Sequence, residues 1–165
     1  MKKLRILIAD DHGLVRRGAR AVLHARHGWR VVGEAASGRE AVQKAIALKP
    51  DVAVVDIGMP ELDGVEATRQ IREAAPDTKV LVLTMHESDQ MVRRALDAGA
   101  RGYLLKSDLT DCLTKAVRAV SEGKRFLTPK VSEIVLEGFL STRSKDQQGE
   151  RAGPVPRWRA SHLEG

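Results

Sequence analysis

Five short apolar runs constrain this chain more than any other feature: Leu4–Ala9, Arg30–Ala35, Val52–Ile57, Lys79–Thr84 and Gly102–Leu105. Within Val52-Ala53-Val54-Val55 and Val80-Leu81-Val82-Leu83 there is no alternation with polar residues. A strand can be apolar on both faces only where both faces are covered, which is the situation of a parallel sheet between two layers of helices. Between the runs the apolar period changes to that of a helix, with Leu14/Val15, Gly18/Ala19 and Val22/Leu23, then Ala41/Val42 and Ala45/Ile46. Start and stop signals agree: Ser37 with Glu40 forms a capping box, Ser88 precedes Met91, Val92, Ala95 and Leu96, and Gly99 follows as a stop. Asp108 or Thr110 can open a last helix carrying Leu113, Ala116, Val117 and Val120 and ending at Gly123. The order is (βα)₅, an α/β fold with a doubly wound, five-stranded parallel sheet in three layers, α/β/α. Such sheets bind ligands outside the carboxyl ends of their strands, where the strand order reverses.

A chain of 165 residues suits one such domain and an appendage. After Arg125 the pattern changes: Thr128 and Pro129 suit a helix start, and Val131, Ile134, Val135 and Phe139 share one face of the helix that follows. The expected division is residues 1–125 as the main domain, 126–140 as a linker helix and 141–165 as a disordered tail or a non-native remnant. The net charge of +6 invites a nucleic-acid reading, but the basic residues are dispersed, and with 3% aromatics the chain has few platforms on which bases could stack. No apolar run approaches the roughly 18 residues of a membrane span, and the basic start at Met1 to Arg5 soon meets Asp10 and Asp11, unlike a secretory signal. A cytoplasmic location with no membrane partner is expected. The single cysteine, Cys112, reads as structural.

The strand ends carry the chemistry. Strand one ends in Asp10-Asp11, strand three in Asp56, strand four in Thr84 and strand five in Lys106. Three carboxylates in one crevice repel one another unless a cation relieves them. Mg²⁺ takes oxygen ligands, so Asp11, Asp56 and a backbone carbonyl just beyond Asp56, assigned to Gly58, make half a coordination shell, with Asp10 acting through water. Asp56 is the candidate nucleophile for a phosphoryl group, the Lys106 ammonium would neutralise charge on the transferred oxygens, and the Thr84 hydroxyl can donate to them. Singly each of these residues is ordinary. An acid pair, an acid, a hydroxyl and a lysine on four β-ends of one sheet are not.

The segments Ile8-Ala9-Asp10-Asp11-His12, Val55-Asp56-Ile57-Gly58-Met59-Pro60-Glu61-Leu62-Asp63-Gly64, Leu83-Thr84 and Tyr103-Leu104-Leu105-Lys106 resemble the response-regulator receiver family over about residues 3–125. The resemblance implies a CheY-like, flavodoxin-like sheet of order 2-1-3-4-5, Mg²⁺ held by Asp10 and Asp11, phosphorylation of Asp56 by a sensor histidine kinase, and Thr84, Tyr103 and Lys106 as the residues that read the result. Thr84-Met85-His86 and Ala98 to Lys106 are similar to the LuxR/NarL-type transcription regulators, whose DNA contact is made by a C-terminal helix-turn-helix. No such pair of helices is recognisable after residue 140, so DNA binding is expected only of a longer parent protein, along with homodimerisation on phosphorylation. Beside the acceptor, Gly58, Met85 and His86 are placed to set how freely water reaches the phosphoryl group. The chain is expected to be a phosphoacceptor signalling domain and not an enzyme. A haloacid-dehalogenase-like phosphatase would need an acid where Gly58 stands. A stand-alone receiver acting through protein contacts is the alternative. His12, His24, His27 and His86 show no metal-ligand spacing beyond a His24/His27 pair and read as surface or core residues.

Overall fold

The apolar runs lie where the sequence puts them. In the computed structural model, which describes residues 3–85 and 88–147 with side chains to residue 138, the elements follow in the order β1 (Leu4–Ala9), α1 (Gly13–His24), β2 (Trp29–Ala35), α2 (Gly38–Leu48), β3 (Val52–Asp56), α3 (Gly64–Ala74), β4 (Lys79–Thr84), α4 (Asp89–Asp97), β5 (Gly102–Leu105), α5 (Leu109–Ser121) and α6 (Pro129–Gln147). All strand pairs are parallel and the sheet order is β2-β1-β3-β4-β5.

The sheet explains its own lack of alternation. Leu7, Ala9, Ala53, Val55, Val80, Val82 and Tyr103 point into one core, shared with α2, α3, α4 and α6. Ile6, Ile8, Val52, Val54, Leu81, Leu83 and Leu104 point into a second core, shared with α1 and α5. The central strands thus obey the period of two, but both of their faces are dry, so β3 and the inner part of β4 are apolar at successive positions, whereas the edge strand β2 keeps Arg30 and Glu34.

The predicted caps form: Ser37 accepts from the Glu40 N–H at 3.1 Å, Ser88 from the Met91 N–H at 3.2 Å, and Thr128 Oγ1 from the Val131 N–H at 3.2 Å. Asp108 stands at the start of α5, after a 3₁₀ turn over Lys106–Asp108, and makes no side-chain cap bond there. Leu14 and Ile46, which fit the helical period, are exposed. His24 accepts the Val31 N–H through Nε2 at 3.2 Å, a structural role of the kind expected for it.

Two features follow the fifth helix. The Tyr103 N–H donates to the Phe126 carbonyl and the Phe126 N–H to the Arg101 carbonyl, so the segment after α5 zips onto the edge of β5. α6 then folds back, burying Val131, Ile134 and Val135 in the same core as Tyr103 and the α4 residues Val92, Ala95 and Leu96. It continues to Gln147 instead of stopping at Leu140, so 141–147, expected in the tail, are helical. The stretch Ser141–Gln147 contains no Gly or Pro, and extending an existing helix gains one hydrogen bond per residue fixed without needing an apolar face. The rest of the expected tail, from residue 148, lies outside the described residues, as does His86. Among the described residues no helix is long and apolar enough to cross a membrane.

Candidate functional site

Register brings the acids together. Ala9 of β1 pairs with Val55 of β3, and Asp56 pairs with Leu83 of β4, so Asp10, Asp56 and Thr84 leave adjacent strands at nearly one level. Asp10 is fully buried; its N–H donates to the Ala35 carbonyl at 2.9 Å and its own carbonyl accepts from Arg16 Nη1 at 2.6 Å. Lys106, just past β5, reaches across the strand ends, with Nζ 3.0 Å from Asp10 Oδ2 and 3.0 Å from Asp56 Oδ2. The other Asp56 oxygen, Oδ1, accepts from the Gly58 N–H at 3.2 Å.

Glycines close the floor. A Cβ on Gly64 would stand 2.2 Å from the Asp56 carbonyl oxygen, and one on Gly38 would overlap the Leu62 carbonyl, so the starts of α3 and α2 can lie against the loop after Asp56 only without side chains there. Gly58 differs: nothing lies within 4 Å of where its Cβ would be, and that side of the crevice is open.

Burial raises the pKa of Asp56 above its ordinary value, against the hydrogen bond from Lys106, and the neighbouring charge of Asp10 adds to the rise. Burial pulls Lys106 down, yet its bonds to Asp56 and Asp10 outweigh that and hold the ammonium above its usual range. Counting Asp10, Asp11 and Asp56 against Lys106, the cluster carries two uncompensated negative charges when ionised. Lys106 Nζ forms an ion pair with Asp10 Oδ2, and that fully buried oxygen has no further hydrogen-bond partner among the described residues. A buried, anionic, oxygen-rich pocket with an unsatisfied lone pair fits a hard divalent cation such as Mg²⁺.

Of the residues read from sequence, Asp10, Asp11, Asp56, Thr84 and Lys106 converge at the strand ends. Tyr103 is fully buried in the core that it shares with α4 and α6 residues. Met85 is exposed at the rim. The sequence reading placed His12 at the surface or in the core; it is exposed, but its ring also lies against the acids, which that reading did not anticipate. Its Nδ1 lies 3.2 Å from Asp10 Oδ1 and 3.2 Å from Asp11 Oδ1, and Asp10, Asp11, His12 and Asp56 each offer a donor atom within 4.8 Å of the others. Spacing rules look for ligands one helical turn apart; adjacency on a tight strand-to-helix turn is the signal that would have found it.

Residues 6–118 match the model of the response regulator receiver domain family. The chain is 38% identical over 146 residues to the transcriptional regulatory protein DegU of Brevibacillus brevis, covering 88% of this chain and 62% of that protein. It is 41% identical over 137 residues to the response regulator GacA of Pseudomonas viridiflava, covering 82% of this chain and 64% of the relative. It therefore spans less than two thirds of the length of these curated relatives. Among solved structures it is similar to a LuxR-family two-component response regulator from Aurantimonas sp. SI85-9A1, with a TM-score of 0.77 at 36% identity over 84% of this chain and 99% of that one. The isolated receiver domain of RcsB from Salmonella enterica serovar Typhimurium, solved with the phosphomimetic BeF3-, gives a TM-score of 0.73 at 29% identity, covering 81% of this chain and 99% of that one.

Proposed function

Because the chain belongs to the response-regulator receiver family of two-component signalling, we propose that it accepts a phosphoryl group on Asp56 from a sensor histidine kinase, with Mg²⁺ in the acidic crevice. The observation that carries this is the Lys106 ammonium held 3.0 Å from Asp56 Oδ2 in a buried pocket whose remaining charge is negative. One oxygen of Asp56 attacks the phosphorus, the bond from phosphorus to the donor breaks with its electron pair leaving on the donor, and an acyl phosphate results. Lys106 neutralises charge on the transferred oxygens at the moment it develops, and Thr84, at the end of β4, donates to them. Asp10, Asp11, Asp56 and the Gly58 carbonyl would hold Mg²⁺, which would supply charge neutralisation and orientation there.

Hydrolysis of the acyl phosphate is slow self-dephosphorylation, its rate set by access past Gly58, Met85 and His86. The output is read through Tyr103 and a change in self-association, and in a longer, cytoplasmic parent protein it is transcriptional. The longer relatives, one of them named a transcriptional regulatory protein, support that output. In a test with acetyl phosphate and Mg²⁺, the chain takes up one phosphoryl group per molecule, and Asp56→Asn or removal of Mg²⁺ abolishes labelling. Stoichiometric labelling of the variant would overturn the assignment.

A further inference from the structure

His12 turns its ring into the acidic crevice, with Nδ1 within hydrogen-bond distance of Asp10 Oδ1, and not over the helix that it caps. It is the N-cap of α1, yet its side chain makes no cap bond. Its backbone N–H already donates to Asp10 Oδ1 at 2.8 Å, so the turn is held without the ring. The ring is two-thirds exposed and has solvent to turn into, but Nδ1 faces inward, hydrogen-bonded at 3.2 Å to one oxygen of Asp10 and 3.2 Å from one of Asp11.

Two ligands at adjacent corners of an octahedron with bonds of about 2.1 Å are about 3.0 Å apart, and opposite ones about 4.2 Å apart. The separations of Nδ1 from its two carboxylate neighbours match the first value, and the donors of Asp10, Asp11, His12 and Asp56, all within 4.8 Å of one another, need only a small contraction to match the second. A neutral imidazole has one ring nitrogen free to accept a metal. We propose that His12 is a further protein ligand of the divalent-cation site, and that its nitrogen tilts the site from Mg²⁺ toward first-row transition cations such as Mn²⁺ and Co²⁺. Carboxylates alone suit Mg²⁺, whereas an imidazole adds a borderline-soft donor that Mg²⁺ gains little from and Co²⁺ gains much from. This rests on reading the acidic crevice as the cation site, and the measurement separates the two.

The full chain is titrated with Mg²⁺, Mn²⁺ and Co²⁺ by calorimetry, and the Mn²⁺ form is examined by pulsed electron paramagnetic resonance for nitrogen modulation from a directly bound imidazole. Since the His12 ring makes no cap bond, His12→Ala and His12→Gln keep the helix start, and circular dichroism checks the fold. The expected result is nitrogen modulation in the wild type that is absent in both variants, with Co²⁺ affinity falling about tenfold or more while Mg²⁺ affinity stays within about threefold. If His12 is only a counter-ion to Asp10 and Asp11, the wild type shows no nitrogen modulation, and removing the ring leaves or strengthens the affinity for all three cations alike. That outcome overturns the ligand role and leaves the cation site standing, provided Asp11→Asn still abolishes binding. A wild type that binds none of the three cations overturns both.

Discussion

At the level of single residues, the pocket shows a carboxylate kept where water is scarce. The raised pKa of Asp56 means that the folded protein binds that proton more tightly than the unfolded chain does. The contribution to stability is therefore full below the ordinary value of 3.8 and is lost as pH rises through the folded pKa, so at neutral pH the ionised side chain is a cost. Without divalent cation, Asp56→Asn should raise the melting temperature by several degrees at pH 7.5, because Asp10 remains as the partner of Lys106. The gain should shrink as the pH is lowered toward the carboxylate range, and scanning calorimetry of both proteins at two pH values checks it. A variant less stable than the wild type at neutral pH would contradict the electrostatic account. Most of the site was legible from residue type alone, since Asp10, Asp11, Asp56, Thr84 and Lys106 fall at strand ends that the apolar runs already mark. The orientation of His12 was not legible, because a ring on a turn can point into solvent or back over its neighbours, and only the path of the chain from β1 into α1 decides.

Among the elements, α6 is the one whose attachment is local. It buries Val131, Ile134 and Val135 against α4 and Tyr103, and is joined to the sheet through the Phe126 bridge. Truncating a buried Ile to Ala ordinarily costs about 2–5 kcal/mol. That full loss appears in global stability only if α6 stays docked until the whole fold unfolds; where α6 lifts off first, the loss is capped at its docking free energy. Ile134→Ala should therefore speed amide exchange throughout α6 while lowering the global melting temperature much less than Ile71→Ala, which removes the same atoms from between α3 and the sheet. Equal losses at the two sites would show that α6 melts with the rest. The start of α6 was visible in Thr128 and Pro129, but its end was not. Helices carry a stop signal when they must turn, and Ser141–Gln147 needs none, so a reading by apolar period closes the helix too early.

For the whole molecule the sheet is a wall between two cores, and the pocket at its edge touches them unequally. Tyr103 belongs to the core lined by α2, α3, α4 and α6, whereas Leu104 beside it faces α1 and α5. On the proposed function, a phosphoryl group that drew Thr84 toward itself would open or fill space on the Tyr103 side. Saturating beryllofluoride with Mg²⁺ should therefore move NMR resonances of the methyl groups of Val92, Leu96, Val131 and Ile134, and leave those of Leu23, Leu113 and Val117 close to their starting positions. Uniform changes in both cores would remove Tyr103 as the coupling element. With α6 seated on α4, part of the face formed by α4, β5 and α5 is already covered by the chain itself, and a second copy could use that part only after displacing the helix. Any free energy that links Asp56 to α6 has no preferred direction. If acylation loosens the helix, then any body that grips α6 and lifts it away makes Asp56 a better acceptor by the same factor, and one that presses it down makes acceptance harder. The last helix would then work as a handle on the first chemical step, through which whatever receives the message could also adjust how readily it is written.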